Sequence, residues 1–95
     1  MSMIKPPITI DGATVLEWTW SGKNPFGVLT YTSGENAAEI YGFAICCYPN
    51  ATGVYRFSCN KDWEAEQDST YDSVEAAKVN IPSQYNSVLV NWVKC

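Results

Sequence analysis

The stretch that decides the fold is DWEAEQDSTYDSVEAAKVNI, residues 62–81. Its first seven residues alternate, Asp62, Glu64, Glu66 and Asp68 against Trp63, Ala65 and Gln67. Side chains on a strand point alternately to opposite faces, so this reads as a strand with one charged face. The period then changes. Asp72-Ser73-Val74-Glu75 places a side-chain cap three residues before a glutamate, the signature of a helix start. Val74, Ala77, Lys78 and Ile81 follow at helical spacing, and Pro82 stops the run. A strand feeding a helix near residues 72–81 is the prediction, with Lys78 laying its stem along the edge of the core.

Working outward, the chain N-terminal to this stretch is punctuated by turn residues. Asp11-Gly12, Ser21–Pro25, Ser33–Asn36 and Pro49–Gly53 separate short segments of period-two alternation. Leu16, Trp18 and Trp20 fall on one face, with Glu17 and Thr19 on the other. Val28–Thr32 follows, then Ile40–Tyr48, then Val54–Cys59, where Tyr55 and Phe57 alternate with Arg56 and Ser58. The Ile40–Tyr48 run is apolar on both faces, as a central strand covered on both sides must be. Gly42 and Ala44 within it leave room for another element to approach. A five-residue loop 49–53 would pair Tyr48 with Val54 and Phe43 with Cys59. In the tail, Ser87–Lys94 is rich in β-branched residues, and the strand reading with Val88, Val90 and Trp92 on one side is preferred to a helix. The fold class is therefore α+β: an antiparallel β-meander of about five or six strands, with one helix in the C-terminal half packed on one face. Residues 1–95 read as a single domain.

Composition supports a packed core. The chain is 46% hydrophobic and holds four Trp, six Tyr and three Phe. Each large aromatic buries roughly 150–250 Å², which a 95-residue domain needs. The first residues lack the apolar run of a secretory signal, and no stretch is long enough to span a membrane. The expectation is a soluble cytoplasmic chain with reduced thiols at Cys46, Cys47, Cys59 and Cys95. Cys46 and Cys47 are neighbours that point to opposite faces of a strand, where a thiol acts as a small apolar filler. Asn50-Ala51-Thr52 fits the glycosylation pattern but reads as a turn.

Several functions are disfavoured. The net charge is −4 and the six basic residues are scattered, which gives phosphates no stripe to bind, so no nucleic-acid partner is expected. There is no histidine, and so no ordinary general base near neutral pH. Glu64 and Glu66 would be the pair to test for carboxylate catalysis. Neither a Gly-rich phosphate loop nor a metal-ligand spacing occurs. No catalytic residue, cofactor, metal or membrane partner is assigned.

The asymmetry that remains is acidic. Asp62, Glu64, Glu66, Asp68, Asp72 and Glu75 make up six of the ten carboxylates, and no Lys or Arg interrupts them. Four on one strand face would form a row spaced about 7 Å apart. Such a face protects an edge strand from aggregation, and it also suits a basic partner, which complementary charge steers into place. The reading is a non-enzymatic interaction module whose acidic surface meets a basic protein. By analogy of size and charge, it would serve as an inhibitor, as immunity proteins, antitoxins and phage counter-defence proteins do. A homodimer through an edge strand is a further option. Two alternatives stand beside it: a small-ligand site in an aromatic pocket around Trp18, Trp20 or Tyr41, and a metal-dependent hydrolase built on the carboxylate row. The second is the weaker, because ligands of one ion lie roughly 3 Å apart.

Overall fold

Alternation and turn chemistry build a curled antiparallel sheet with one short helix on its outer side. A computed structural model of the chain describes residues 5–30, 36–80 and 92–94. The strands are β1 (Thr9–Ile10), β2 (Ala13–Trp20), β3 (Gly27–Thr30), β4 (Asn36–Ile40), β5 (Gly42–Cys47), β6 (Val54–Cys59), β7 (Ala65–Tyr71) and β8 (Val93–Lys94), with α1 (Val74–Val79) between β7 and β8. The main sheet runs β1-β2-β5-β6-β7, and β3 pairs with β4 as a separate ribbon. The outer edge of β2 is shared: β1 takes Ala13 and Thr14, and β8 takes Glu17 and Trp18. No helix among the described residues is long and apolar enough to cross a membrane.

Residues paired across neighbouring strands share a face, so the register sorts the side chains into two layers. On the concave side lie Val15, Trp18, Ala44, Cys46, Phe57, Cys59 and Trp63, all buried in one cluster. On the other side Ile45 and Val54 receive Ala77 of α1, with Leu16, Tyr71, Val74 and Trp92 around them. Central β5 is covered on both faces, as its apolar sequence requires. Curling comes from β-bulges at Val15/Glu17 and at Ser58/Cys59, which increase local twist. The bend is large. Asp11, in the β1–β2 turn at one end of the sheet path, borders the same concavity as Gln67 and Asp68 of β7 at the other end.

The helix is fastened from beneath. Arg56 projects from β6 to the α1 side, where its Nη1 donates to the carbonyl oxygens of Ala77 (2.9 Å) and Asn80 (3.0 Å). These carbonyls belong to the negative end of the helix, which a cation stabilises. The guanidinium also lies 5.0 Å from the Tyr71 ring and 5.8 Å from that of Phe43. Lys78 on the helix meets Glu17 on β2 at 2.7 Å.

Five expectations need correction. The strand expected at 62–68 begins only at Ala65, because Trp63 is left-handed (φ 61°) and residues 60–64 form a turn. The helix is Val74–Val79, capped by Ser73, whose Oγ accepts from Ala76 N (3.1 Å). Asp72 therefore stands outside the helix, Glu75 falls in its first turn, and the expected end at residue 81 lies outside the described residues. Leu16 packs on the helix side and not with Trp18 and Trp20, because the bulge beside it breaks the alternation. The run Ile40–Tyr48 is divided at Tyr41, where the chain passes from the β3–β4 ribbon into the main sheet. Finally, the β5–β6 register is one residue off the expected one. Gly42 opposes Cys59 and Phe43 opposes Ser58, the chain reversing through left-handed Asn50 and Gly53. The strand expected at 87–94 is described only at Trp92–Lys94, where β8 forms.

Gly42 is the position where space decides. A Cβ placed there would stand 2.6 Å from the Trp63 ring, which lies against the bare backbone. Gly42→Ala forces the ring to move and is expected to destabilise the fold by about 1–3 kcal/mol, the usual penalty for overpacking. Urea melts check this. The penalty should shrink in a Trp63→Leu background, since the two residues in contact are coupled.

Candidate functional site

The acidic surface is organised by Asn60. Its Oδ1 accepts from Asp62 N (2.9 Å) and Glu64 N (3.0 Å), the pattern by which Asn closes a turn on its own backbone. Its Nδ2 donates to Glu64 Oε1 (2.9 Å) and Glu66 Oε2 (2.8 Å), partly offsetting two neighbouring carboxylates. The backbone repeats the closure: Asn60 N donates to Glu64 O and Trp63 N to Asn60 O, both at 3.0 Å. Asp62 and Glu64 are thus held outward in the turn while Trp63 points inward.

The six carboxylates do not form one row. Asp62 and Glu64 lie in the turn, Glu66 and Asp68 on β7, Asp72 at the strand–helix junction and Glu75 in the first helical turn. The bulge at Cys59 pairs it with Ala65 and leaves Glu66 as the extra residue. Beyond it, Gln67 opposes Ser58 on the helix side and Asp68 opposes Phe57 on the concave side. The expected division into a charged face and a Trp63-Ala65-Gln67 face is therefore not kept. What unites the six is the strand they follow. β7 ends the sheet path, and none of the six forms an ion pair among the described residues.

Curling adds two carboxylates that spacing in the sequence does not reveal. Asp11 joins Glu66 and Asp68 around a concavity of about 220 Å³. Glu39 joins Tyr41, Asn60, Asp62 and Glu66 around another of about 280 Å³. With these, six of the chain's ten acidic residues, Asp11, Glu39, Asp62, Glu66, Asp68 and Asp72, line hollows beside β7, and Glu64 directly precedes the strand. Among the described residues no group of three His, Cys, Asp or Glu is placed to hold a metal ion, and the hydrolase alternative gains no support from the geometry.

The aromatic alternative is partly assembled. Trp18 is buried and meets Trp63 edge-on at 6.1 Å. Trp20 stacks on Tyr41 at 5.6 Å with 26° between the rings. Of the three aromatics, Tyr41 lines the 280 Å³ concavity, and half of its neighbours there are carboxylates. Cys59, on the concave side, is buried, and that burial pushes its thiol well above the ordinary range, with Cys46, Asp11 and Glu66 adding to the effect. A thiol held protonated is a poor nucleophile. Tyr48 is raised as well, first by burial and then by Asp11.

Comparison of the chain with protein-family models, with curated proteins and with solved structures finds no match.

Two outcomes follow from this chemistry. Asn60→Ala should cost about 1–2 kcal/mol, as loss of a capping side chain does. Asn60→Asp keeps the acceptor but places a third carboxylate against Glu64 and Glu66. It should be the worse of the two at pH 7, with the gap narrowing as added salt screens the repulsion, measured by urea midpoints. The second outcome is alkaline. Cys59 and Tyr48 bind their protons more tightly when folded, so their contribution is complete below about pH 8.5 and is lost as pH rises. The slope attributable to Cys59 is at most about 1.4 kcal/mol per pH unit. Cys59→Ala should flatten the decline between about pH 8.5 and 9.5.

Proposed function

We propose that this protein is a non-enzymatic interaction module that captures a basic protein partner along the β7 edge. One observation carries the reading: carboxylates from the 60–64 turn, β7, the strand–helix junction, the β1–β2 turn and β4 gather around β7 and its hollows, and among the described residues none of them forms an ion pair. Isolated surface charges are usually dispersed and screened over about 8 Å at physiological salt. A gathered set produces a potential that steers an oppositely charged protein and raises its rate of encounter. Two of the basic side chains are engaged elsewhere. Arg56 lies under α1, Lys78 pairs with Glu17, and among the described residues Lys61 is the one cation lining the acidic hollows.

This division suits an inhibitor-type protein, whose fold holds a charged surface rigid against its target. Rigidity matters because ordering a mobile surface on binding subtracts from affinity. Here Asn60 and the buried Trp63 fix the turn, the Asn60 amide holds Glu66, and the β6 ladder fixes Asp68. A homodimer through β7 is disfavoured on the same grounds, since two copies would set carboxylate against carboxylate.

The test is a triple charge reversal, Glu64→Lys, Glu66→Lys and Asp68→Lys. Glu64 and Asp68 are exposed and Glu66 is half-buried, so the far-ultraviolet spectrum and a cooperative urea transition should be retained. Capture of the native partner from its source lysate should fall at least about tenfold, and for the unaltered protein it should weaken steeply with added salt. Recovery of the same partner by both forms, at any salt, would remove the acidic edge as the interface.

A further inference from the structure

The side of the sheet that gathers charge is also an open strand edge, and hollows run along it. β7 pairs with β6 on one side and, among the described residues, with nothing on the other. An edge strand turns alternate backbone N–H and C=O groups outward, a ready template for another strand. Three concavities follow its length. The first, of about 280 Å³, lies at its beginning beside Tyr41, Asp62 and Glu66. The second, of about 220 Å³, lies on the concave side at Glu66 and Asp68. The third, of about 370 Å³, is shared with β6, between Thr52–Tyr55 and the Thr70–Asp72 end of β7. From Glu66 to Asp72 an extended chain spans roughly 20 Å. That is the reach of a six- or seven-residue strand, with the two acidic hollows toward its beginning.

Charge decides what such a strand must carry. A neutral or apolar segment would strip water from Glu66 and Asp68 and offer them nothing in return, which is costly. A second copy of β7 would oppose like charges. A segment bearing Lys or Arg supplies opposite charges to these carboxylates and to Asp11, Glu39 and Asp62 in the hollows. We propose that β7 is a strand acceptor, and that the partner docks by adding an extended, lysine- or arginine-bearing strand to its open edge. This rests on the reading of the acidic edge as the docking surface and specifies how the partner binds: backbone hydrogen bonds give affinity, and side chains in successive hollows give selectivity.

The probe is a synthetic octapeptide of alternating lysine and valine, titrated into the ¹⁵N-labelled full chain at low ionic strength. The control is the same peptide with alternate backbone nitrogens methylated, which keeps the charge and removes donors on one edge. Strand addition predicts saturable shifts centred on Gln67–Tyr71, slowed amide exchange in that segment, and at least a tenfold loss of affinity on methylation. Equal binding of both peptides would overturn strand addition while leaving charge-driven docking in place. Binding of neither would overturn it too, and the triple-reversal capture experiment would then decide separately whether the edge docks a folded basic surface. Loss of binding in the Glu66→Lys, Asp68→Lys variant, with the urea midpoint retained, would support the charge requirement.

Discussion

A tryptophan ring can lie flat on a β-strand only where the strand has no side chain in the way. Gly42 provides that opening at the centre of the sheet, and the six-membered ring of Trp63 fills it. The ring is further enclosed by Trp18, edge-on at 6.1 Å, and by Trp20, tilted at 5.4 Å. Trp63 reaches this position by adopting a left-handed backbone (φ 61°), which costs a bulky residue about 1–2 kcal/mol. Its indole N–H finds no acceptor among the described residues, a further cost of about 1–3 kcal/mol. Burial of some 150–250 Å² at about 25 cal/mol per Å² returns roughly 4–6 kcal/mol. Burial is therefore large enough to hold the strained turn in place.

From this anchor the acidic surface follows. Because Trp63 turns inward, Asp62 and Glu64 on either side of it must face outward, and Asn60 bonds the backbone that carries them. The turn also sets where β7 can begin. Cys59 meets Ala65, Glu66 is squeezed out as a bulge, and the strand beyond resumes regular pairing from Gln67 to Tyr71. The same bulge adds twist, and the twist helps bring the β1–β2 turn with Asp11 across to Asp68. One buried ring thus governs the register of the edge strand and part of the charge distribution on it.

This explains which parts of the fold were legible in the sequence. Period-two alternation in Val54–Cys59 and the doubly apolar β5 identify themselves, because burial on a defined face leaves a repeating pattern. The small residues Gly42 and Ala44 signal a close approach, and Trp63 makes it. Alternation fails at 62–68 for a physical reason. Asp62, Trp63 and Glu64 alternate in polarity in a turn just as they would in a strand, so polarity alone cannot distinguish the two. A bulge such as the one beside Leu16 leaves no compositional mark either. The cap shifted from Asp72 to Ser73 because both residues are good caps and only packing of Val74 and Ala77 selects between them. Of the candidate surface, the six carboxylates in sequence were legible, whereas Asp11 and Glu39 join them only through the curl of the sheet.

The two sides of the molecule carry different demands. On the α1 side, charge is neutralised within the fold: Arg56 meets helix carbonyls and aromatic rings, and Lys78 meets Glu17. Along β7, charge is left to the solvent. A fold under no further constraint gains little from gathered, uncompensated carboxylates, since their mutual repulsion opposes the compact state. Charged side chains on the strand itself protect an edge from aggregation, without help from acids on other elements. Here the 60–64 turn, β7, the strand–helix junction, the β1–β2 turn and β4 all contribute acids to the same edge or its hollows, and Asn60 helps fix Asp62, Glu64 and Glu66. That excess over what edge protection needs is the physical argument for a basic partner.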